Sequence, residues 1–311
     1  MKRSVFIRSF AILLIVCIFC SILSGCAPGS KSSSSEPPVY SPLRVLVPEA
    51  PGSDTLGSSP LTLDVSNITQ GYFVAQSDSA DLVTSLQITA PTGVLYAYFI
   101  DPGENAVIPF TEGNGDYTVV GYQQIQGDQY AALYSEILTV ELENDFLPFL
   151  YPNQYVNFSP DSEASKLALS MVSEDTTDVD ALKQIYNYVV NNLTYDYDKA
   201  ETVETGYLPD VDETLSTKTG ICFDYAALTT AMLRSCDIPC KLQIGYTGDI
   251  KHAWIDVYIR SKGWVTGAVS FNGDSWSLMD PTFDSSADSD DTEAIQDYIG
   301  NADNYTVQFT R

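Results

Sequence analysis

The chain has one histidine, His252, in the triplet His252-Ala253-Trp254. Upstream of it Cys222 sits in Gly220-Ile221-Cys222-Phe223, and downstream Asp280 sits in Met279-Asp280-Pro281. In that order these are the residue types of a thiol nucleophile, its base and the carboxylate that orients the base. Taken singly, each has an ordinary explanation: a buried structural thiol, a packed or solvated imidazole, an aspartate that starts a turn. Together they point to attack of sulfur on a carbonyl carbon, with the proton handled by imidazole.

Such chemistry needs elements that hold the three groups. Phe223 to Leu233 is apolar nearly all round, the pattern of a buried helix, which puts Cys222 just before or at its first turn. Unpaired backbone N–H groups and the positive helix end favour an anion there, and the same N–H groups can hold an oxyanion. His252 opens the alternating strand Ala253 to Ile259, and Asp280 closes the strand Trp276 to Met279. If those two strands pair antiparallel, imidazole and carboxylate fall side by side. Further strands are expected at Lys241 to Gly245 and Gly263 to Phe271. Apolar residues at helical spacing, Ala181, Ile185 and Val189 among them, predict helices at Ser162 to Met171 and Val179 to Val190. Asp198 to Asp212 reads as a polar surface loop. Helices packed on an antiparallel sheet make this half an α+β core.

The motifs Gly220-Ile-Cys222-Phe-Asp-Tyr225-Ala226, Asp237-Ile238-Pro239, Gly245-Tyr246, His252-Ala-Trp254 and Asp280-Pro281-Thr282 resemble those of the transglutaminase-like superfamily over about residues 178–284. The resemblance implies a papain-like Cys-His-Asp fold, with Cys222 as nucleophile, His252 as general base and acid, and Asp280 as orienting carboxylate. It also makes Tyr195, in Leu193-Thr-Tyr195-Asp, the nearest match to an upstream side chain that assists the oxyanion in some members. Two departures stand out. The segment Arg260 to Ser275 is longer than the family's tight hairpin and predicts an extra hairpin, and Asp237 stands where glycine is usual, a change tolerated because Asp adopts left-handed geometry. Acidic Asp284 to Asp291 lacks the central glycine and ligand spacing of a calcium loop, so a solvated stretch is expected. One histidine and no zinc-spaced cysteine cluster give no reason to expect a metal or other cofactor.

Lys2, Arg3 and Arg8 precede an apolar run from Phe10 to Leu23 and then Leu23-Ser24-Gly25-Cys26. This reads as an export signal over residues 1–25 rather than a membrane span. Its end resembles the lipobox of bacterial lipoproteins, which implies lipidation of Cys26 and attachment to the outer side of a membrane. Residues 26–42, rich in Ser and Pro, then form a flexible spacer. Loss of the signal takes three of the 15 basic side chains and none of the 41 acidic ones, so the formal charge of -26 deepens by three. A field of that sign excludes nucleic acid as a partner and keeps an exported chain soluble. Of six cysteines, Cys17 and Cys20 leave with the signal and Cys26 carries lipid, which leaves Cys222, Cys236 and Cys240. An odd number guarantees a free thiol; Cys236 and Cys240 could bridge, though small buried side chains at a helix end explain them as well.

Between 43 and 145 short alternating runs separated by turns such as Pro91-Thr92-Gly93 and Gly113-Asn114-Gly115-Asp116 predict an all-β antiparallel sandwich of immunoglobulin-like kind, without its strand order. Its tyrosines, Tyr96, Tyr98, Tyr117, Tyr122, Tyr130 and Tyr134, read as packing residues before a ligand face. Residues 146–311 are expected to be the transglutaminase-like domain. The expected activity is extracytoplasmic acyl transfer or hydrolysis on a protein or peptide substrate, cell-wall peptide included. The alternative is a membrane-tethered binding module whose papain-like part is an inactive scaffold.

Overall fold

A computed structural model describes residues 45–173, 175–265, 269–271, 276–278 and 305–311. Cys26, the export signal, the spacer, Asp280 and the acidic stretch lie outside these. Among the described residues no helix is long and apolar enough to cross a membrane.

The alternating runs of the first half form β1 (Thr55–Ser58), β2 (Leu61–Asp64), β3 (Tyr72–Ser77), β4 (Thr84–Thr89), β5 (Leu95–Ile100), β6 (Asn105–Pro109), β7 (Gly115–Gln126) and β8 (Gln129–Val140). They make two antiparallel four-stranded sheets, ordered β1-β2-β3-β6 and β5-β4-β7-β8. Period-two alternation decides what goes inside: along β5, Tyr96, Tyr98 and Ile100 are buried and Leu95, Ala97 and Phe99 are exposed. The inward side chains, with Leu61, Phe73, Leu86, Phe110, Tyr117 and Val119, form one core cluster. At about 1.5–3 kcal/mol for each large apolar side chain buried, this cluster is what holds the two sheets face to face. Tyr96, Tyr98 and Tyr117 are therefore packing residues, as their strand positions suggested.

The second half has helices α1 (Glu163–Met171), α2 (Asp178–Asn192), α3 (Tyr197–Thr202), α4 (Val211–Thr217) and α5 (Cys222–Ser235). Its strands are β9 (Thr194–Tyr195), β10 (Thr219–Gly220), β11 (Cys240–Thr247), β12 (Ile250–Ile259), β13 (Gly263–Val265), β14 (Val269–Phe271), β15 (Trp276–Leu278) and β16 (Tyr305–Thr310). Every residue of α5 from Asp224 to Ser235 is buried, which makes it the central helix that its all-round apolarity predicts. α1, α2 and α4 pack on one side of it and β11 and β12 on the other. The sheet order is β13-β12-β11-β16, antiparallel throughout. The stretch Asp198 to Asp212, expected as a loop, starts with α3 and ends in α4. Both short helices begin at an aspartate cap, Asp196 and Asp210, that the polar composition of the segment concealed.

Asp237 has φ 58°, the left-handed turn its position before Ile238-Pro239 calls for, and it reverses the chain from α5 into β11. Arg234, 1% exposed, ties that reversal down. Its guanidinium donates to Cys240 O at 3.0 and 2.8 Å, to Tyr151 O at 2.7 Å and to Arg311 O at 2.8 Å. Burial pulls its pKa down to about 10, yet four carbonyl contacts keep the cation satisfied. β16 continues this tie. Arg311 lies over the rings of Tyr96, Tyr98 and Tyr155 at 4.6, 4.7 and 4.1 Å, so the sheet of the second half is locked onto the sandwich core.

Candidate functional site

Cys222 is the first residue of α5 and is partly exposed. The residue before it, Ile221, caps the helix with an extended backbone and no side-chain hydrogen bond. An apolar cap leaves the first-turn N–H groups without the acceptor that Ser, Thr, Asp or Asn would supply, so they point at whatever stands beside Cys222. Gly220 is fixed by packing: a Cβ there would lie 2.6 Å from Asp224 Cβ. β10 pairs parallel with β9, which sets Tyr195 directly beside Gly220. The pairing is closed by Thr194 N–H to Lys218 O and Asp196 N–H to Gly220 O, both 2.9 Å. The Tyr195 ring packs on Tyr197 at 4.9 Å and Tyr225 at 6.4 Å.

His252 is buried and pairs with Gly245 across β11 and β12. Gly245 must be glycine, because a Cβ would come within 1.9 Å of Thr306 O on β16. The imidazole stacks on Trp254 with centroids 6.3 Å apart. Ala253, Ile255, Val257 and Ile259 face the α5 core, so by alternation His252 shares the opposite face with Trp254, Asp256 and Tyr258. The 14 residues of α5 run about 21 Å in one direction, and β11 returns about 17 Å between Cys240 and Gly245. The helix start and His252 therefore lie at the same end of this layer.

The expected direct pairing of the His252 strand with Trp276 to Met279 is not made among the described residues. The neighbours of β12 are β11 and β13, and β15 pairs instead with β14 in a separate two-stranded hairpin. Within Arg260 to Ser275, β13 pairs with β12, and β14 forms its hairpin with the Trp276 strand, so the extra hairpin extends beyond the segment where it was expected. Asp280 itself is outside the described residues.

Sequence reading missed a cluster just behind Cys222. Asp224, fully buried in the first turn of α5, accepts from Ile221 N–H at 2.8 Å, Lys199 Nζ at 2.8 Å and Tyr207 Oη at 2.5 Å. Lys199 also donates to Tyr207 Oη at 2.7 Å and lies 4.4 Å from its ring centroid. The helix position of Asp224 was legible, but nothing local announced that Lys199 and Tyr207 of a polar stretch would fold onto it. Burial, then the Asp224 hydrogen bond, pushes the Tyr207 phenol up to about 12. Partial burial opposes the Lys199 charge, but Asp224 and Tyr207 outweigh it and raise the ammonium above its ordinary value. Both groups hold their protons more tightly folded than unfolded, so this contribution is present below about pH 10 and lost as pH climbs toward 12. Thermal unfolding should show it: between pH 10 and 12 the wild type loses more of its Tm than Tyr207→Phe, and equal losses would rule the cluster out as the cause.

Cys236 and Cys240 are free and fully buried, with no disulfide between them. Burial raises both thiols to about 12. Of these three cysteines, iodoacetamide at neutral pH should therefore modify Cys222 alone, as read by peptide mass mapping. Comparable modification of Cys236 or Cys240 would show that the α5 end opens readily.

Residues 165–267, which span this whole arrangement up to β13, match the model of the transglutaminase-like superfamily. The chain contains a transglutaminase-like domain. The uncharacterized protein YebA of Bacillus subtilis is 24% identical over 183 residues, covering 51% of this chain and 25% of YebA. The chain thus spans about a quarter of that relative's length. Two solved structures also align: a candidate cysteine protease from Cytophaga hutchinsonii (17% identity, 78% of this chain and 79% of that one, TM-score 0.38) and red sea bream transglutaminase (12% identity, 70% and 48%, TM-score 0.28). Preceding the transglutaminase-like domain is a strand-rich region, and the chain as a whole mixes helices and sheets.

Proposed function

We propose that this chain performs acyl transfer or hydrolysis at an amide through a thioester on Cys222. The observation that carries this reading is a partly exposed thiol at the start of a buried helix whose N-cap side chain offers no acceptor, beside Gly220 and Tyr195, while the other two thiols among the described residues are sealed in the core. The Cys222 thiolate adds to the carbonyl carbon, and the oxyanion that forms is met by the first-turn N–H groups of α5, with the Tyr195 hydroxyl as an additional donor. His252 gives its proton to the departing amine, the C–N bond breaks and a thioester remains. Water or a second amine, deprotonated by His252, attacks that thioester and releases Cys222. Asp280 is assigned the ring nitrogen of His252 that faces away from sulfur.

We further propose that the protein acts outside the cytoplasm, tethered through a lipid on Cys26, with a strand-rich domain at 43–145 and a transglutaminase-like domain at 146–311. A signal-like start, the spacer sequence and the acidic charge support this.

Incubation with a glutamine-containing protein and a fluorescent primary amine separates the two outcomes: covalent amine incorporation reports transfer, and ammonia or new amino termini without incorporation report hydrolysis. Absence of all three products, from protein whose Cys222 still alkylates, would favour a binding module on an inactive scaffold.

A further inference from the structure

The structure has a concave site whose lining includes none of Cys222, Gly220, Tyr195 and His252. The sandwich, the segment at 152–162 and the loop at 208–212 enclose a cleft of about 590 Å³, within the size range of ligand sites. Its lining is specific in kind. Four side-chain amides, Asn105, Asn153, Gln154 and Asn157, stand among apolar Val107 and Leu208. No Lys, Arg or His is among the described lining residues, so phosphate and carboxylate ligands find no partner. The one aromatic, Phe158, is 4% exposed, which leaves no ring face for a sugar to stack on.

Amides present a donor and an acceptor side by side, as a peptide group does, and can pair with an extended backbone. Asn153 sharpens this. Its Oδ1 accepts from Tyr155 and Val156 N–H at 2.9 and 3.0 Å, which shapes the wall, and its buried Nδ2 has no protein partner; Gln154 Nε2 donates to Phe99 O at 2.6 Å, so the exposed amides of Asn105 and Asn157 are the ones left open to a ligand.

The charge of the site is set by Asp210. Asp212 spends both oxygens capping α1, on Glu163 and Ala164 N–H at 3.1 and 2.9 Å. Asp210 uses Oδ1 alone to cap α4, on Asp212 and Glu213 N–H at 3.0 and 2.9 Å. Its Oδ2 is left for a donor from outside.

We propose that this cleft binds an extended peptide segment, its backbone on the side-chain amides and a basic side chain on Asp210 Oδ2. Tyr207, which is held to Asp224 at the start of α5, leads directly into the Leu208–Asp212 wall of the cleft. Placing the cleft on the path of the substrate of Cys222 rests on the reading of Cys222 as nucleophile; peptide binding itself does not.

The test uses the full chain carrying Cys222→Ala, so that no turnover intervenes. The probe is fluorescein-labelled Ala-Gln-Ala-Lys-Ala-Gln-Ala, compared by polarisation with the same peptide carrying Glu in place of Lys. The Lys peptide should bind about tenfold tighter, the effect of one charge pair of modest strength. Asp210→Asn keeps the helix cap, because Asn caps as well as Asp, and should abolish that preference. Asn157→Trp, on an exposed position, should fill the cleft and weaken both peptides at least about tenfold with an unchanged melt. Asn105→Trp serves where the first filler lowers the melt. Equal affinity for the two peptides, undiminished binding in a well-folded filler variant, or a filler-sensitive response to chitotriose in place of peptide would each overturn the assignment. Peptide binding by a wild type that neither incorporates amine nor releases ammonia or new amino termini would leave the cleft standing and sink only the reading of Cys222.

Discussion

Cys222→Ala is expected to lower kcat at least about 10³-fold while leaving KM and the thermal melt nearly unchanged. The sulfur makes its bond only after substrate is bound, so its removal strikes the chemical step and not the encounter. The residual rate comes from what remains, the free N–H groups of the α5 first turn and substrate binding, which explains why the loss is not total. Because Cys222 is partly exposed at a helix end, Ala leaves no sealed cavity behind, and far-UV circular dichroism should superimpose on the wild type. Turnover within tenfold of wild type would place the chemistry elsewhere. His252→Asn belongs in the same experiment: it should match the loss, and the double variant should lose little more than either single one, because nucleophile and base act as a unit.

The second large effect concerns Asp224. Replacing it by Ala strips three hydrogen bonds from a fully buried position: the Tyr207 hydroxyl proton and the Ile221 N–H lose their acceptor, and the Lys199 ammonium loses its counter-charge and keeps only Tyr207. Breaking a buried pair from one side costs about 3–5 kcal/mol. The Lys199 side chain, 31% exposed, can recover some hydration, so the lower end, about 3 kcal/mol, is expected. For a domain of this size that corresponds to a Tm drop of roughly 6–12 °C. Asp224→Asn keeps the shape and the Ile221 hydrogen bond but not the charge, and should fall between wild type and Ala. Since Asp224 sits two residues from Cys222 in the same first turn, the Ala variant should also alkylate at Cys222 with altered rate. A melt within about 1 °C of wild type would mean that the cluster contributes nothing to holding the helix start.

Much of this was legible in local pattern. The apolar run after Cys222 predicted a helix buried all round, because no face of it could meet water, and α5 is that helix. Alternation at Lys241 to Gly245 and Ala253 to Ile259 predicted the two central strands; β11 extends by one residue at its start and two at its end, and β12 begins three residues earlier, at Ile250. The left-handed turn at Asp237 followed from the side chain's short polar form. What could not be read was pairing. β12 chose β13 rather than the Trp276 strand, β16 closed the sheet beside β11, and Tyr207 folded onto Asp224 from an unremarkable polar stretch.

The physical reason lies in range. A helix period, a strand alternation or a turn conformation is fixed by neighbours a few residues apart, so the sequence by itself determined most of the elements, which faces are apolar and that a thiol begins the buried helix, while the single imidazole proved to be the third residue of its strand and not the first. Which strand lies beside which depends on loop closure and on how whole faces fit, terms spread over distant residues with no local signature. The tertiary structure alone therefore decided that Gly220 and Tyr195 flank Cys222, that His252 lies at the same end of the sheet layer, and that the buried Asp224 carboxylate ties Lys199 and Tyr207 to the start of α5.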